Sequence, residues 1–165
     1  MSELQHGFRY SSREAEPPEI TSLRGALQAL LNGFGLQLIE LAVSKHRGSV
    51  QIRLVIYAGA ASLGVEDCSK VHRAVMPRLE LAFPSQDIYL EVSSPGIERL
   101  IKDGMEAAHY LGRGVRCYCT DINEWTAGIL EAADEKGIML KNKDGVIRLE
   151  FDIIAKARLD SAQEV

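Results

Sequence analysis

No enzyme fingerprint occurs in this chain. The Gly-x-Gly-x-x-Gly turn of dinucleotide-binding folds, the Walker lysine with its serine or threonine, and the Gly-x-Ser-x-Gly nucleophile elbow are all missing from its 165 residues. An excess of positive charge is missing too. Nineteen Lys and Arg stand against 23 Asp and Glu, a net charge of −4. Residues 1–99 hold 10 basic and 11 acidic side chains, and residues 100–165 hold 9 and 12. Non-specific nucleic-acid binding rests on cations that neutralise phosphates. A chain this acidic does not coat RNA at random. If it binds a polyanion it needs a local basic patch, and otherwise its partner is a basic protein. There is no apolar run long enough for a membrane helix and no charged-then-apolar leader, so the expected address is the cytoplasm.

Cysteine is scarce and odd in number: Cys68, Cys117 and Cys119. That favours a reducing compartment. In Val115-Arg116-Cys117-Tyr118-Cys119 the two cysteines share a strand face with Val115 and read as small buried hydrophobes. A zinc site would need two more ligands at suitable spacing. The histidines His6, His46, His72 and His109 are scattered singly. No metal and no cofactor are expected.

What is present is two kinds of periodicity. Residues 1–18 are polar and aperiodic and read as a mobile tail. For a helix from about Pro18 to Asn32, Ile20, Leu23, Leu27, Leu30, Leu31 and Phe34 recur at helical spacing and form one apolar stripe. Two strands follow. Residues 36–43 are aliphatic, with Glu40 breaking the alternation. Residues 50–57 alternate cleanly, Val50, Ile52, Leu54 and Ile56 on one side, Gln51, Arg53 and Tyr57 on the other. The short link Ser44-Lys45-His46-Arg47-Gly48-Ser49 suits a hairpin with a basic tip. Lys45 and Arg47 are candidate RNA-phosphate contacts, against the plainer reading of a solvated turn. A second helix over 65–82 carries Cys68, Val71, His72, Val75, Leu79 and Ala82 on one stripe, with Pro77 expected to bend it. A third strand, Ile88 to Val92, completes an α-β-β-α-β order: a three-stranded sheet covered on one face by two helices.

Beyond residue 99 the period changes. After one short helix over 103–111, five short candidate strands fit into fewer than 50 residues, with Asp134-Glu135-Lys136-Gly137 and Lys143-Asp144-Gly145 as turns. Such a run suggests a small closed barrel, which removes exposed sheet edges. The fold class is therefore α+β. The expected divisions are a tail at 1–18, an N-terminal α/β domain at 19–98 and a barrel domain at 99–165.

Between the halves lies Glu91-Val92-Ser93-Ser94-Pro95-Gly96-Ile97-Glu98-Arg99. Ser94-Pro95-Gly96-Ile97 reads as a type II turn, with Pro presetting φ and Gly96 taking positive φ. This nine-residue run resembles the signature of the bacterial ribosome maturation factor RimP family. The order of elements on both sides, over roughly residues 19 to 160, fits as well. One departure is Leu100, where the family often has proline. The resemblance implies an N-terminal α/β domain and a C-terminal barrel of the Sm or SH3 type, with a one-turn 3₁₀ helix at residues 151–153. It implies a non-catalytic factor acting on the small (30S) ribosomal subunit. The implied partners are ribosomal RNA and a basic ribosomal protein near the decoding centre.

On that reading Ser93, Ser94, Pro95, Gly96, Glu98 and Arg99 are candidate partner contacts, and the protein is expected to be a monomer. Arg99 offers a planar fork for a carboxylate or phosphate; its plainer role is a surface pair with Glu98 or Glu91. Two alternatives stand beside this. One is an Sm-like RNA-binding regulator that never meets ribosomes. The other is a small hydrolase using Ser93 or Ser94, although a serine before Pro-Gly more often braces its turn.

Overall fold

The computed structural model of the chain describes residues 8–13, 15–59 and 63–164. The expected tail at 1–18 thus lies partly outside the described residues. The chain divides into two compact units, Glu16–Pro95 and a second made of Gly96–Val165 with the segment Met1–Ala15. The architecture is α+β, and no helix among the described residues is long and apolar enough to cross a membrane.

In the first unit, α1 (Pro18–Asn32) starts at a Pro-Pro pair. Proline suits the first helical position because its missing N–H has no intrahelical partner there. Leu23, Leu27 and Leu31 are the buried stripe. Gln28 ties the helix to the next strand, since its amide donates to the Leu36 carbonyl at 3.1 Å and its oxygen accepts from Leu38 N at 2.8 Å. Strand β1 (Gln37–His46) pairs antiparallel with β2 (Ser49–Tyr57) across a two-residue turn, Arg47-Gly48. The break of alternation at Glu40 is a β-bulge between Leu38 and Glu40. Helix α2 (Val65–Ala82) begins with the Asp67 carboxylate accepting from Gly64 N at 2.9 Å. It continues through Pro77 and returns the chain to β3 (Asp87–Ser93). The pair β2–β3 is parallel, which requires such a crossover.

The sheet order is β1-β2-β3. Leu23, Leu27 and Leu31 of α1 and Val71, Val75 and Leu79 of α2 pack with Val50, Ile52, Leu54 and Ile56 in one aliphatic core. Burying each such side chain contributes roughly 1.5–3 kcal/mol before entropy is counted. Three expected positions differ. Phe34 lies beyond the end of α1 and is exposed, Ala82 is exposed, and Tyr57 is buried although its parity put it on the polar side.

The second unit contains β4 (Leu100–Ile101), α3 (Gly104–Ala107), β5 (Gly114–Cys119), β6 (Glu124–Ala133), β7 (Gly137–Asn142), β8 (Gly145–Glu150) and β9 (Ile154–Leu159). Short 3₁₀ turns follow α3 and β9, and a third, Phe151–Ile153, precedes β9. The strands form one antiparallel sheet, β4-β9-β5-β6-β7-β8. Its end strands do not pair with each other, so the expected closed ring is not present in the strand pairing. Strand β4 has only two residues, and β8 is exposed along most of its length. Shortness blunts the first edge.

Residues 8–13 are not a loose tail. Phe8 is buried, its ring 5.3 Å from that of Phe151, and its N–H donates to the Ile154 carbonyl at 3.3 Å. Gly104 N and Met105 N donate to the carbonyls of Arg9 and Tyr10, each at 2.8 Å. Ser12 donates through both N and Oγ to Asp103, at 2.9 and 2.8 Å. The opening amides of α3 have no partner within so short a helix, and this segment supplies acceptors for two of them. Composition hid the tether because its main content is backbone bonding and one aromatic side chain.

Candidate functional site

The nine-residue signature straddles the boundary between the units. In the first unit, Ser93 ends β3 opposite Val55, Ser94 is exposed and Pro95 is half-buried. In the second, Gly96, Ile97 and Glu98 are exposed, Ile97 at 76%. The expected type II turn at 94–97 is replaced by a turn two residues later. Arg99 N donates to the Gly96 carbonyl at 3.0 Å, closing Gly96-Ile97-Glu98-Arg99. Gly96 is not among the glycines with positive φ, and a Cβ built on it would meet nothing within 4 Å. Proline-glycine chemistry permits a type II turn; here the hydrogen bond closes the overlapping turn at residues 96–99 instead.

Arg99 departs from the expected surface pairing with Glu98 or Glu91. Its guanidinium is held inside the unit by Glu106. Nε donates to Glu106 Oε2 at 2.5 Å and Nη2 to Oε1 at 3.0 Å, a forked pair whose side chains are 10% and 2% exposed. Glu106 also accepts from Lys102 N at 3.1 Å and from the Tyr110 hydroxyl at 2.8 Å. Its own N–H donates to Asp103, the cap of α3, at 2.8 Å. Burial, and then the Glu106 charge, hold the Tyr110 hydroxyl far above its usual range, so it stays a donor. The network is a structural brace. The sequence did hold one signal for it: an acid three residues after Asp103 is the pattern of a helix start. Glu98, expected to pair with Arg99, instead lies 3.4 Å from Arg116.

Lys45 and Arg47 are exposed at the β1–β2 hairpin, as their sequence position implies. The Lys45 ammonium lies 5.6 Å from the Phe83 ring centroid. The uncovered face of this sheet forms a shallow hollow of about 490 Å³ lined by residues including Ser44, Gln51, Arg53, Tyr89 and Glu91. Arg53 there pairs with Glu40 at 3.1 Å.

The cysteines Cys117 and Cys119 are buried and unbridged. Burial, and secondarily Cys119, push the Cys117 thiol up to about 12, so it is not a nucleophile. No group of three or more His, Cys, Asp or Glu among the described residues is arranged to hold a metal.

One cluster has no counterpart among the sequence candidates. Trp125 on β6 lies edge-on to Tyr118 on β5, ring centroids 5.5 Å apart at 76°. Arg116 on β5 and Lys156 on β9 lie 5.4 and 5.5 Å from the Trp125 centroid. The cysteine alternation in 115–119 already implied that Arg116 and Tyr118 point outward. Nothing in the sequence alone said which strands would flank them.

These features define an α+β protein of two units, with a helix-backed sheet in one and a braced antiparallel sheet in the other. Residues 26–98 match the family model described as the RimP N-terminal domain. The chain is also similar to the ribosome maturation factor RimP of Borrelia turicatae (strain 91E135), 29% identical over 125 residues, which cover 76% of this chain and 85% of that protein. A solved structure described as "Mode of Action of a Putative Zinc Transporter CzrB" is 21% identical over 48% of this chain and 98% of its own. Its TM-score is only 0.38. Together the family-model match and the Borrelia turicatae relative support a place for the chain among the RimP ribosome maturation factors. That family is non-catalytic, and the hydrolase reading of Ser93 and Ser94 is set aside with it.

Proposed function

We propose that this protein binds the immature small (30S) ribosomal subunit in the cytoplasm and assists its assembly, as a monomer that holds part of the particle and then leaves. The observation that carries this reading is the 125-residue similarity to a ribosome maturation factor. The acidic balance adds to it, because a chain of net charge −4 has little non-specific pull toward RNA. Its target is then a composite of ribosomal RNA and a basic ribosomal protein near the decoding centre. We assign the six-stranded sheet of the second unit to an Sm/SH3-like barrel whose wall is left open between β4 and β8. Among the signature residues, Ser94, Pro95, Gly96 and Glu98 remain proposed partner contacts, Ser93 with them. Lys45 and Arg47 remain proposed RNA contacts.

Co-sedimentation tests the reading. The protein is expected to travel with immature small subunits in a sucrose gradient and to bind naked small-subunit RNA more weakly at the same salt. Recovery with neither particle nor RNA would end the ribosomal reading. Recovery with small free RNA alone would favour an Sm-like regulator.

A further inference from the structure

Trp125 is the only tryptophan in the chain, and it is 43% exposed on the outer face of a strand. The register explains its neighbours. Trp125 pairs with Tyr118, Tyr118 with Lys156, and Arg116 with Arg158, so five side chains from three adjacent strands share one face. The intervening Val115, Cys117, Ala157 and Leu159 point inward and are buried. The face is thus fixed by the core on its other side and needs no rearrangement to be presented.

Its charge runs against the rest of the unit. Residues 100–165 carry 9 basic and 12 acidic side chains, yet three of the basic ones gather here around two aromatic rings. Two acids approach. Glu98 lies 3.4 Å and Asp160 3.8 Å from Arg116, both at the long end of ion pairing. Arg158 donates to the Glu98 backbone carbonyl at 3.1 Å, a neutral acceptor that leaves its charge uncompensated. Lys156 has no ion pair among the described residues.

We propose that this face of β9, β5 and β6 is a platform for single-stranded RNA. An unpaired base stacks on Trp125, and Arg116, Lys156 and Arg158 meet the phosphates on either side. This deepens the ribosomal reading and rests on it. Two features favour RNA over an acidic peptide. The cations sit close to an exposed Trp125 braced by a half-buried Tyr118, and a peptide carboxylate would use the cations while leaving the tryptophan ring in water. Every base, by contrast, has a π-face, and stacking on an aromatic tolerates any sequence. A flat strand surface with splayed cations also suits an unpaired strand better than a duplex, whose bases are already stacked.

The test uses the full chain and a fluorescein-labelled ten-nucleotide oligouridylate, followed by anisotropy at low and moderate salt. Trp125→Ala is expected to weaken binding about tenfold, Trp125→Phe much less, and Lys156→Ala several-fold with a shallower salt dependence. Competition by duplex RNA or oligoglutamate is expected to be poor. Equal binding by wild type and Trp125→Ala, or equal competition by oligoglutamate, would overturn the platform. Small-subunit co-sedimentation separates this from the broader reading. If wild type and Trp125→Ala both co-sediment fully, the platform fails and the ribosomal role stands. If Trp125→Ala loses the particle but wild type shows no affinity for the oligonucleotide, a protein covers this face and the RNA proposal is overturned. If wild type does not co-sediment at all, the failure belongs to the ribosomal reading.

Discussion

The two units stabilise themselves by different means. The core of the Glu16–Pro95 unit is aliphatic apart from Phe83, and the ion pairs Arg24–Glu16 and Arg53–Glu40 lie outside it. In the second unit the apolar core is joined by Asp103 and Glu106, the two buried charged residues among those described. Glu106 gathers donors from Arg99, Lys102 and Tyr110. An aliphatic core tolerates small shifts, because dispersion and the hydrophobic effect have no direction. A buried carboxylate with several donors tolerates few, because each lost bond leaves charge without compensation. The second unit is therefore the one in which a single substitution should do the most damage.

The largest effect is expected at Glu106. Replacing Glu106 with Ala strands the Arg99 guanidinium, the Tyr110 hydroxyl and the Lys102 amide together. Breaking a buried pair by removing one partner costs about 3–5 kcal/mol. Arg99→Ala should cost somewhat less, since the carboxylate keeps two of its donors. Trp125 lies in this unit and reports its urea unfolding by fluorescence. A loss below about 1 kcal/mol for Glu106→Ala, the range of surface pairs, would dissolve the contrast between the units.

The next effect concerns the N-terminal segment. We propose that each unit folds independently. Residues 16–95 alone should then give a dispersed amide NMR spectrum. Residues 96–165 alone should be markedly weaker than the same unit in the full chain, because they lack Phe8 and the carbonyls of Arg9 and Tyr10. Phe8→Ala in the full chain isolates the side-chain part, about 3 kcal/mol by analogy with other buried aromatics. Unchanged stability for both would mean that residues 8–13 merely rest on the surface.

This contrast also explains what the sequence could show. The helices at 18–32 and 65–82 and the 3₁₀ turn at 151–153 stand where they were expected, the turn from the family resemblance and the helices from apolar spacing. Of the brace only the Asp103–Glu106 helix start was legible; the Arg99 link was not, because Arg99 and Glu106 are seven residues apart, across β4 and into α3, and no local periodicity links them. The tether of residues 8–13 consists mostly of main-chain bonds, which carry no residue-type signal. The Trp125 face needed the strand order β9-β5-β6, since its members come from residues 40 apart in sequence.

The smallest effect is expected at the residue that looked most decisive. Gly96 follows a proline in the signature and invites the reading of a strained turn, but its φ is not positive and a Cβ there meets open space. Gly96→Val should change stability by no more than about 0.5 kcal/mol, as at ordinary surface positions. Gly48 is the useful contrast. It sits in the hairpin turn of the first unit at φ +69°, a conformation that a β-branched residue adopts only with strain. Gly48→Val should therefore cost about 1–3 kcal/mol even though nothing crowds its Cβ. Thermal melts of the two variants beside wild type decide the matter. If Gly96→Val is the more damaging, the signature holds its glycine for its backbone. If Gly48→Val is, any functional loss in Gly96→Val reflects the exposed surface around residues 94–98 rather than the fold.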